Sequence, residues 1–160
     1  MEPTRRFGGS ASVLEQARKL FLQDNVRMTV GRRPLDVFAE LAGAARLATG
    51  ISFVVAPDSA HRMWGGPQDP GPWASPFIRS TGYRDVLIGG LVLHAGLRGR
   101  PTTGWFVAWA GADIVDLLGN TTNRERMTGE QRLRGLGGPA VALTVGLLGA
   151  LMGARARRRG

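Results

Sequence analysis

The sequence contains no cysteine, no complete catalytic motif and, among its 21 basic residues, a single lysine, Lys19. Without cysteine the chain cannot form disulfides, use a thiol in catalysis or hold a metal through thiolates. Residues 1–11 also lack the continuous apolar core of a signal peptide, so we expect no cleaved leader. These absences predict a protein that is not an enzyme, with no catalytic residues, no metal site and no cofactor.

The arginines give the chain a formal net charge of +9, which is typical of proteins that bind nucleic acid. They gather at the ends of apolar runs, however: Arg32 and Arg33 precede the first run, and residues 155–159 follow the last. Such positions are typical of the membrane interface. We therefore favour a membrane protein with no nucleic-acid partner. The alternative, a soluble nucleic-acid-binding protein, needs Arg46, Arg84 and the tail to form one basic face.

Four apolar runs cover residues 35–56, 80–97, 103–119 and 138–154. Each is close to the roughly 20 residues that a membrane-spanning helix needs. The short connection between the second and third runs makes them antiparallel neighbours. Small residues within the runs permit close helix contacts, with Ala39 and Gly43 in the first run and Gly149 and Gly153 in the last. The sequence predicts an all-α fold, a polytopic membrane four-helix bundle.

The segments between the runs are predicted to be loops. Residues 57–77 contain five prolines, so we expect Pro57 to end the first helix and an ordered loop to follow. Trp64 and Trp73 in this segment are suited to anchor it at the membrane interface. Residues 120–138 are polar and rich in glycine, and they predict a second connection.

The N-terminal part is predicted to contain an amphipathic helix. Ser12 and Glu15 match a capping box, and apolar residues follow at helical spacing. This helix has three interpretations: it packs on its own protein, lies in the membrane interface or docks to a partner. We divide the chain into an N-terminal tail with an interfacial amphipathic helix (residues 1–34), the four-span bundle (35–154) and a basic C-terminal tail (155–160).

Charged residues occur inside the apolar runs, where an ion without a partner is too costly to keep. Trp105, Trp109, Asp113 and Asp116 recur at spacings of four, four and three, so they are predicted to share one face of the third helix. Asp113 and Asp116 would then meet cations from the neighbouring helices.

The antiparallel order of the runs places Arg84 at about the same depth as Asp116, with Arg46 the deepest cation. We predict that Arg84 pairs with Asp116, and that Asp113 pairs with Arg46 or Arg84. Acids and bases are roughly matched in number, so we favour a structural ion-pair lock. The predicted lock consists of Arg46, Arg84, Asp85, Asp113 and Asp116.

Two smaller sites are also predicted. Glu40 and His94 both lie near the inner face and could form a second pair. Arg79 and Arg84 are candidates for contacts with a lipid head group, because the guanidinium fork matches phosphate. As an alternative to the lock, Asp113 and Asp116 could serve a small transporter or membrane enzyme.

The arginines also predict an orientation. The tail before the first run, the loop after the second and the C-terminus hold thirteen Arg and Lys residues, whereas the other two loops hold six. Positive charge favours the cytoplasmic side. We therefore expect a multi-pass protein of the inner (plasma) membrane with both termini in the cytoplasm.

The second and third runs contain a pattern of charges and glycines, Arg79-x-x-Gly82-x-Arg84-Asp85, Gly89-Gly90 and Gly111-x-Asp113-x-x-Asp116. This pattern resembles that of small four-span actinobacterial membrane proteins of the DUF4267 or DoxX-like kind. The resemblance covers residues 35–154 and implies a helical membrane fold. It also implies a non-catalytic accessory subunit that stabilises or regulates a larger envelope complex, such as a Mce lipid transporter, with that complex and lipids as partners.

Overall fold

A computed structural model describes Glu15, residues 33–63 and residues 72–158. This part of the chain is all-α, as predicted. Five α-helices, with a 3₁₀ turn at Arg124–Arg126 before the last, have these bounds: α1 Pro34–Val55, α2 Pro57–Met63, α3 Ala74–Leu97, α4 Thr103–Thr122 and α5 Gly129–Arg158. Glu15 is helical, but the rest of the predicted N-terminal helix lies outside the described residues.

Helices α1 and α3 pack along each other with their backbones in direct contact. Glycines lie at seven-residue intervals on α3, at Gly82, Gly89 and Gly96, and they face Gly50, Gly43 and Ala39 of α1 in that order. A Cβ atom added to Gly43 would lie 2.5 Å from the amide nitrogen of Leu93. Small residues allow this approach, so the predicted notch at Gly43 is present and forms part of a longer glycine seam.

Helices α4 and α5 form the second close pair. Gly149 of α5 receives the ring of Phe106, since an added Cβ would lie 2.5 Å from ring atoms, and Gly153 receives the side chain of Thr103. The predicted notch at Gly149 and Gly153 is therefore confirmed. The two helix pairs, α1–α3 and α4–α5, meet at a small apolar core in which Phe38 lies 5.7 Å from Phe106 between ring centroids.

The structure corrects both predicted loops. A short helix, α2, begins at Pro57, since proline is well suited to the first position of a helix, and α3 already begins at Ala74. Helix α5 begins at Gly129, nine residues before the predicted start, and it continues through Arg158 into the predicted tail. Thr128 and Gln131 form a capping box at its start, with hydrogen bonds of 2.9 and 3.2 Å, and this signal was missed.

Two of the helices, α1 and α5, are long and apolar enough to cross a membrane. Within the described ranges they alone meet this test of length and composition. Helices α3 and α4 are 24 and 20 residues long, but they carry most of the charges of the predicted lock.

Candidate functional site

Arg46 is the centre of a buried cluster of charges. It lies midway along α1 with 6% of its surface exposed. Its Nη1 and Nη2 donate to the two carboxylate oxygens of Asp113 at 2.8 and 3.0 Å. Its Nε and Nη2 donate to Oδ1 of Asp85 at 3.1 and 2.7 Å, and its guanidinium lies 4.5 Å from the ring centroid of Trp109. The planar fork of arginine suits such bidentate pairing and stacking.

Arg84 makes the second bidentate pair. Its Nη1 and Nη2 donate to Asp116 at 2.9 and 2.7 Å, as predicted from the depths of the two residues. Its Nε and Nη2 also approach Oδ1 of Asp85 at 3.3 Å. Asp85 therefore accepts hydrogen bonds from both arginines and links the two pairs into one network. All five residues of the predicted lock are brought together.

The network joins the two helix pairs. Arg46, Arg84 and Asp85 belong to α1 and α3, whereas Asp113 and Asp116 both belong to α4. Within the lock, the α1–α3 pair therefore has an excess of one formal positive charge, whereas the α4–α5 pair has two formal negative charges. Because α1–α3 and α4–α5 otherwise touch mainly at the small apolar core, the lock is the main polar connection between them in the described structure.

The sequence predicted roughly matched numbers of acids and bases in the lock, but the structure shows an excess of acids. Three carboxylates meet two guanidinium groups, so the cluster carries one formal negative charge in excess. Asp113 is 3% exposed, whereas the side chains of Arg84 and Asp116 are each 30% exposed. The excess charge is therefore best solvated at Asp116, the most open carboxylate of the three.

The other predicted site residues lie apart from the lock. The exposed Arg79 donates to the carbonyl oxygen of Val54 at 2.8 Å and so caps the last turn of α1. Glu40 is half-buried on α1 and His94 is exposed on α3, and their pairing stays a prediction. Trp105 is 40% exposed, so it does not share the buried face of Trp109 and Asp113. Phe106 takes its place.

A cleft of about 1550 Å³ opens between the two helix pairs. Its walls are mainly apolar and come from α1, α3, α4 and α5, and all five residues of the lock line it. Phe38, which packs against the apolar core, lines one end of it, and residues of α2 and of the connection before α5 line the other, here called the open end. Its volume exceeds the range of roughly 300–1,000 Å³ of typical small-molecule pockets.

Arginines occur in the segments that line the open end of the cleft. Three of them adjoin a lining residue in the chain: Arg62 follows His61, Arg79 follows Ile78 and Arg134 precedes Gly135. Arg134 of α5 donates to the carbonyl oxygen of Met63 at the end of α2 and pairs with Glu130 at 2.6 Å. This arginine thus links α5 to the end of α2.

Asn120 was not singled out from the sequence. Its Nδ2 donates to the carbonyl oxygen of Gly135 at 2.6 Å. Pro139 stands four residues after Gly135 inside α5 and has no amide hydrogen to donate to that oxygen. The Asn120 side chain supplies the missing donor, and its only sequence signal was the proline itself.

Comparison with known proteins gives one match. Residues 43–149 match DUF4267, a domain of unknown function, and this range contains all five residues of the lock. No curated protein and no solved structure matches the chain. Since the match covers more than half of the sequence, the chain belongs to the DUF4267 family.

Proposed function

We propose that the protein is an integral membrane subunit without catalytic activity, which stabilises or regulates a larger envelope complex. In this proposal α1, α3, α4 and α5 all cross the membrane. The observation that carries the proposal is the inverted distribution of polarity in the helices: charges lie inside and large apolar side chains lie outside.

Exposed apolar residues occur on all four long helices, such as Leu41 at 69% and Val115 at 66%. The buried positions, in contrast, include glycines and the ions Arg46, Asp85 and Asp113 beside the small apolar core. The most apolar windows of α1 and α5 are only 22% and 11% buried, whereas the core helix of a soluble protein is mostly buried. A bilayer or a membrane partner would cover these outer surfaces.

The lock supports a structural role for the interior charges. Ions inside a membrane face one another and pair, and here the hydrogen bonds between them join three helices. Arginine stays protonated at accessible pH, so these pairs hold the helices together without a reactive group.

The finer assignments belong to the same proposal. The protein would be similar to DoxX-like four-span proteins and to LucB, an accessory subunit of Mce lipid transporters, and its partner would be a transporter that moves lipid. Both termini would lie on the cytoplasmic side of the inner membrane.

Purification from the native membrane tests this function. The chain is tagged at Gly160, extracted in mild detergent and identified with its companions by mass spectrometry, in parallel with an unrelated tagged membrane protein as the control. We expect a transporter to be recovered at fixed stoichiometry with this chain and not with the control protein. A folded chain recovered by itself would contradict the accessory role.

The excess carboxylate of the lock favours a second function, a free-standing small transporter that uses Asp113 and Asp116. Asp113→Asn separates the two functions. A transporter would lose transport but keep its assembly, whereas a structural lock would lose assembly, as measured by size-exclusion chromatography in detergent.

Nucleic-acid binding is the third alternative. It requires Arg46 on a surface, but Arg46 is buried and its guanidinium donates to Asp85 and Asp113. Release of the chain into the soluble fraction at high salt would support this alternative against the membrane proposal.

A further inference from the structure

We propose that the cleft between the two helix pairs binds an anionic membrane lipid. One acyl chain would lie between the pairs, and the phosphate group would meet the arginines at the open end. This inference rests on the membrane location proposed above and names the lipid class that the protein recognises.

The size and walls of the cleft fit a lipid chain. Along α1 the lining extends from Phe38 to Phe53, which is about 22 Å at the helical rise of ~1.5 Å per residue. The walls between these ends include Leu41 and Ala45 of α1 and Val141 of α5. Water gains few hydrogen bonds against such walls, so hydrocarbon from the surrounding bilayer is the favoured occupant.

Charge complementarity identifies the head group. The described residues 56–63, 74–79 and 120–134 form the open end and hold six arginines and three carboxylates. The arginines are Arg62, Arg79, Arg124, Arg126, Arg132 and Arg134, and the carboxylates are Asp58, Glu125 and Glu130. The resulting excess of positive charge favours a lipid with a net negative head group, because opposite charges attract. Phosphate oxygens also match the guanidinium fork.

The phosphate is assigned to this rim and not to Arg84. The Nε, Nη1 and Nη2 atoms of Arg84 already donate to Asp85 and Asp116. Within the described residues, Arg79 donates through Nη1 to the carbonyl oxygen of Val54, which leaves Nε and Nη2 for a phosphate. Arg134 donates through Nη1 to the carbonyl oxygen of Met63 and pairs through Nη2 with Glu130, which leaves Nε. The lipid chain would pass the lock, in which two guanidinium groups pair with three carboxylates.

Tryptophan fluorescence tests the position of the chain. Trp109 lines the cleft, whereas Trp105 faces outward on the same helix. One variant keeps Trp109 as its single tryptophan and another keeps Trp105, with the remaining tryptophans changed to Phe. Each full-length chain is reconstituted in phosphatidylcholine vesicles containing a minor fraction of lipid with brominated chains, which quench at short range. Brominated phosphatidylglycerol should quench Trp109 several-fold more than brominated phosphatidylcholine at the same fraction. Trp105 should respond equally to both.

Two tests, each with a matched control variant, examine the cleft and its rim. Gly137 lines the cleft, and a Cβ added there meets no atom within 4 Å, so Gly137→Leu should fill the space and abolish the excess quenching. Gly111→Leu, on the outer side of α4 with equally open surroundings, should leave it unchanged. Arg79→Gln with Arg134→Gln should remove the preference for the anionic lipid. Arg98→Gln with Arg100→Gln, which removes the same charge outside the rim, should not.

The outcomes separate the two proposals. A chain that does not float with the vesicles would overturn the membrane location itself. A chain that inserts, with Trp109 quenched equally by both lipids or unaffected by Gly137→Leu, would overturn the lipid site alone.

If the single-tryptophan variants do not fold, native mass spectrometry of the wild-type chain tests the lipid site instead, with the chain taken from vesicles that contain equal amounts of phosphatidylglycerol and phosphatidylcholine. Retained phosphatidylglycerol that is lost in Gly137→Leu supports the site, and no retained lipid contradicts it.

Discussion

The side-chain amide of Asn120 lies 2.6 Å from the carbonyl oxygen of Gly135, the acceptor that Pro139 leaves without a backbone donor. This bond crosses from α4 to α5 and lets α5 run through a proline. Asn120→Ala should destabilise the protein by about 1 to 3 kcal/mol, because a half-buried carbonyl then lacks its partner.

Pro139→Ala provides the control for this prediction. It restores an amide hydrogen at position 139, so Asn120→Ala should cost much less in that background. A double-mutant cycle measured by thermal unfolding in detergent checks the coupling. Equal costs of Asn120→Ala with and without Pro139 would contradict the proposed relationship.

Two adjacent glycines of α3 should respond in opposite ways to the same substitution. A Cβ at Gly89 would lie 2.5 Å from the amide nitrogen of Leu47, whereas a Cβ at Gly90 meets nothing within 4 Å. Gly89→Ala should therefore destabilise the protein by about 3 kcal/mol through overpacking. Gly90→Ala should stabilise it by up to about 1 kcal/mol through helix propensity.

Thermal unfolding of both alanine variants in the same detergent checks this contrast. Similar unfolding temperatures for the two variants would show that α1 and α3 do not approach as closely as described.

The proposed topology makes a prediction that the absence of native cysteine renders easy to test. Single cysteines at Ser59 and Glu125 should react in intact cells with a membrane-impermeant maleimide, because the connections after α1 and α4 would face outward. A cysteine at Arg98 should react only after the cells are permeabilised. Labelling of all three positions, or of Arg98→Cys alone in intact cells, would contradict four spans with cytoplasmic termini.

The lock could be predicted from the sequence because buried ions need partners. Arg84 and Asp116 lie in antiparallel runs joined by a short loop, so their depths followed from counting residues. The shared role of Asp85 could not be predicted, because it depends on the rotation of α3 about its own axis. The same limit explains the error at Trp105: spacing alone placed it with Trp109, but the buried face of α4 includes Phe106.

The parts that could not be predicted depend on how the helices pack. Glycines at residues 129–138 concealed the start of α5, although the capping box of Thr128 and Gln131 was present in the sequence. The cleft lies where the two tight helix pairs, which meet at Phe38 and Phe106 and at the lock, separate. No local pattern records that separation, whereas the notches at Gly43, Gly149 and Gly153 were predicted from residue type.

The charge balance of the lock gives the most direct test of its structural role. Arg46→Met leaves Asp85, Asp113 and Asp116 with Arg84 alone, so the cluster would carry two excess negative charges. We expect a loss of about 3 to 5 kcal/mol, the cost of breaking a buried pair. Arg46→Met with Asp113→Leu returns the excess to one negative charge and fills the space with apolar groups, so it should recover most of that loss. Chemical or thermal unfolding in detergent measures both variants. If the double variant is as unstable as Arg46→Met, Asp113 has a role beyond pairing with Arg46; if it is stable and still assembles with its partner, the pair acts as a structural lock.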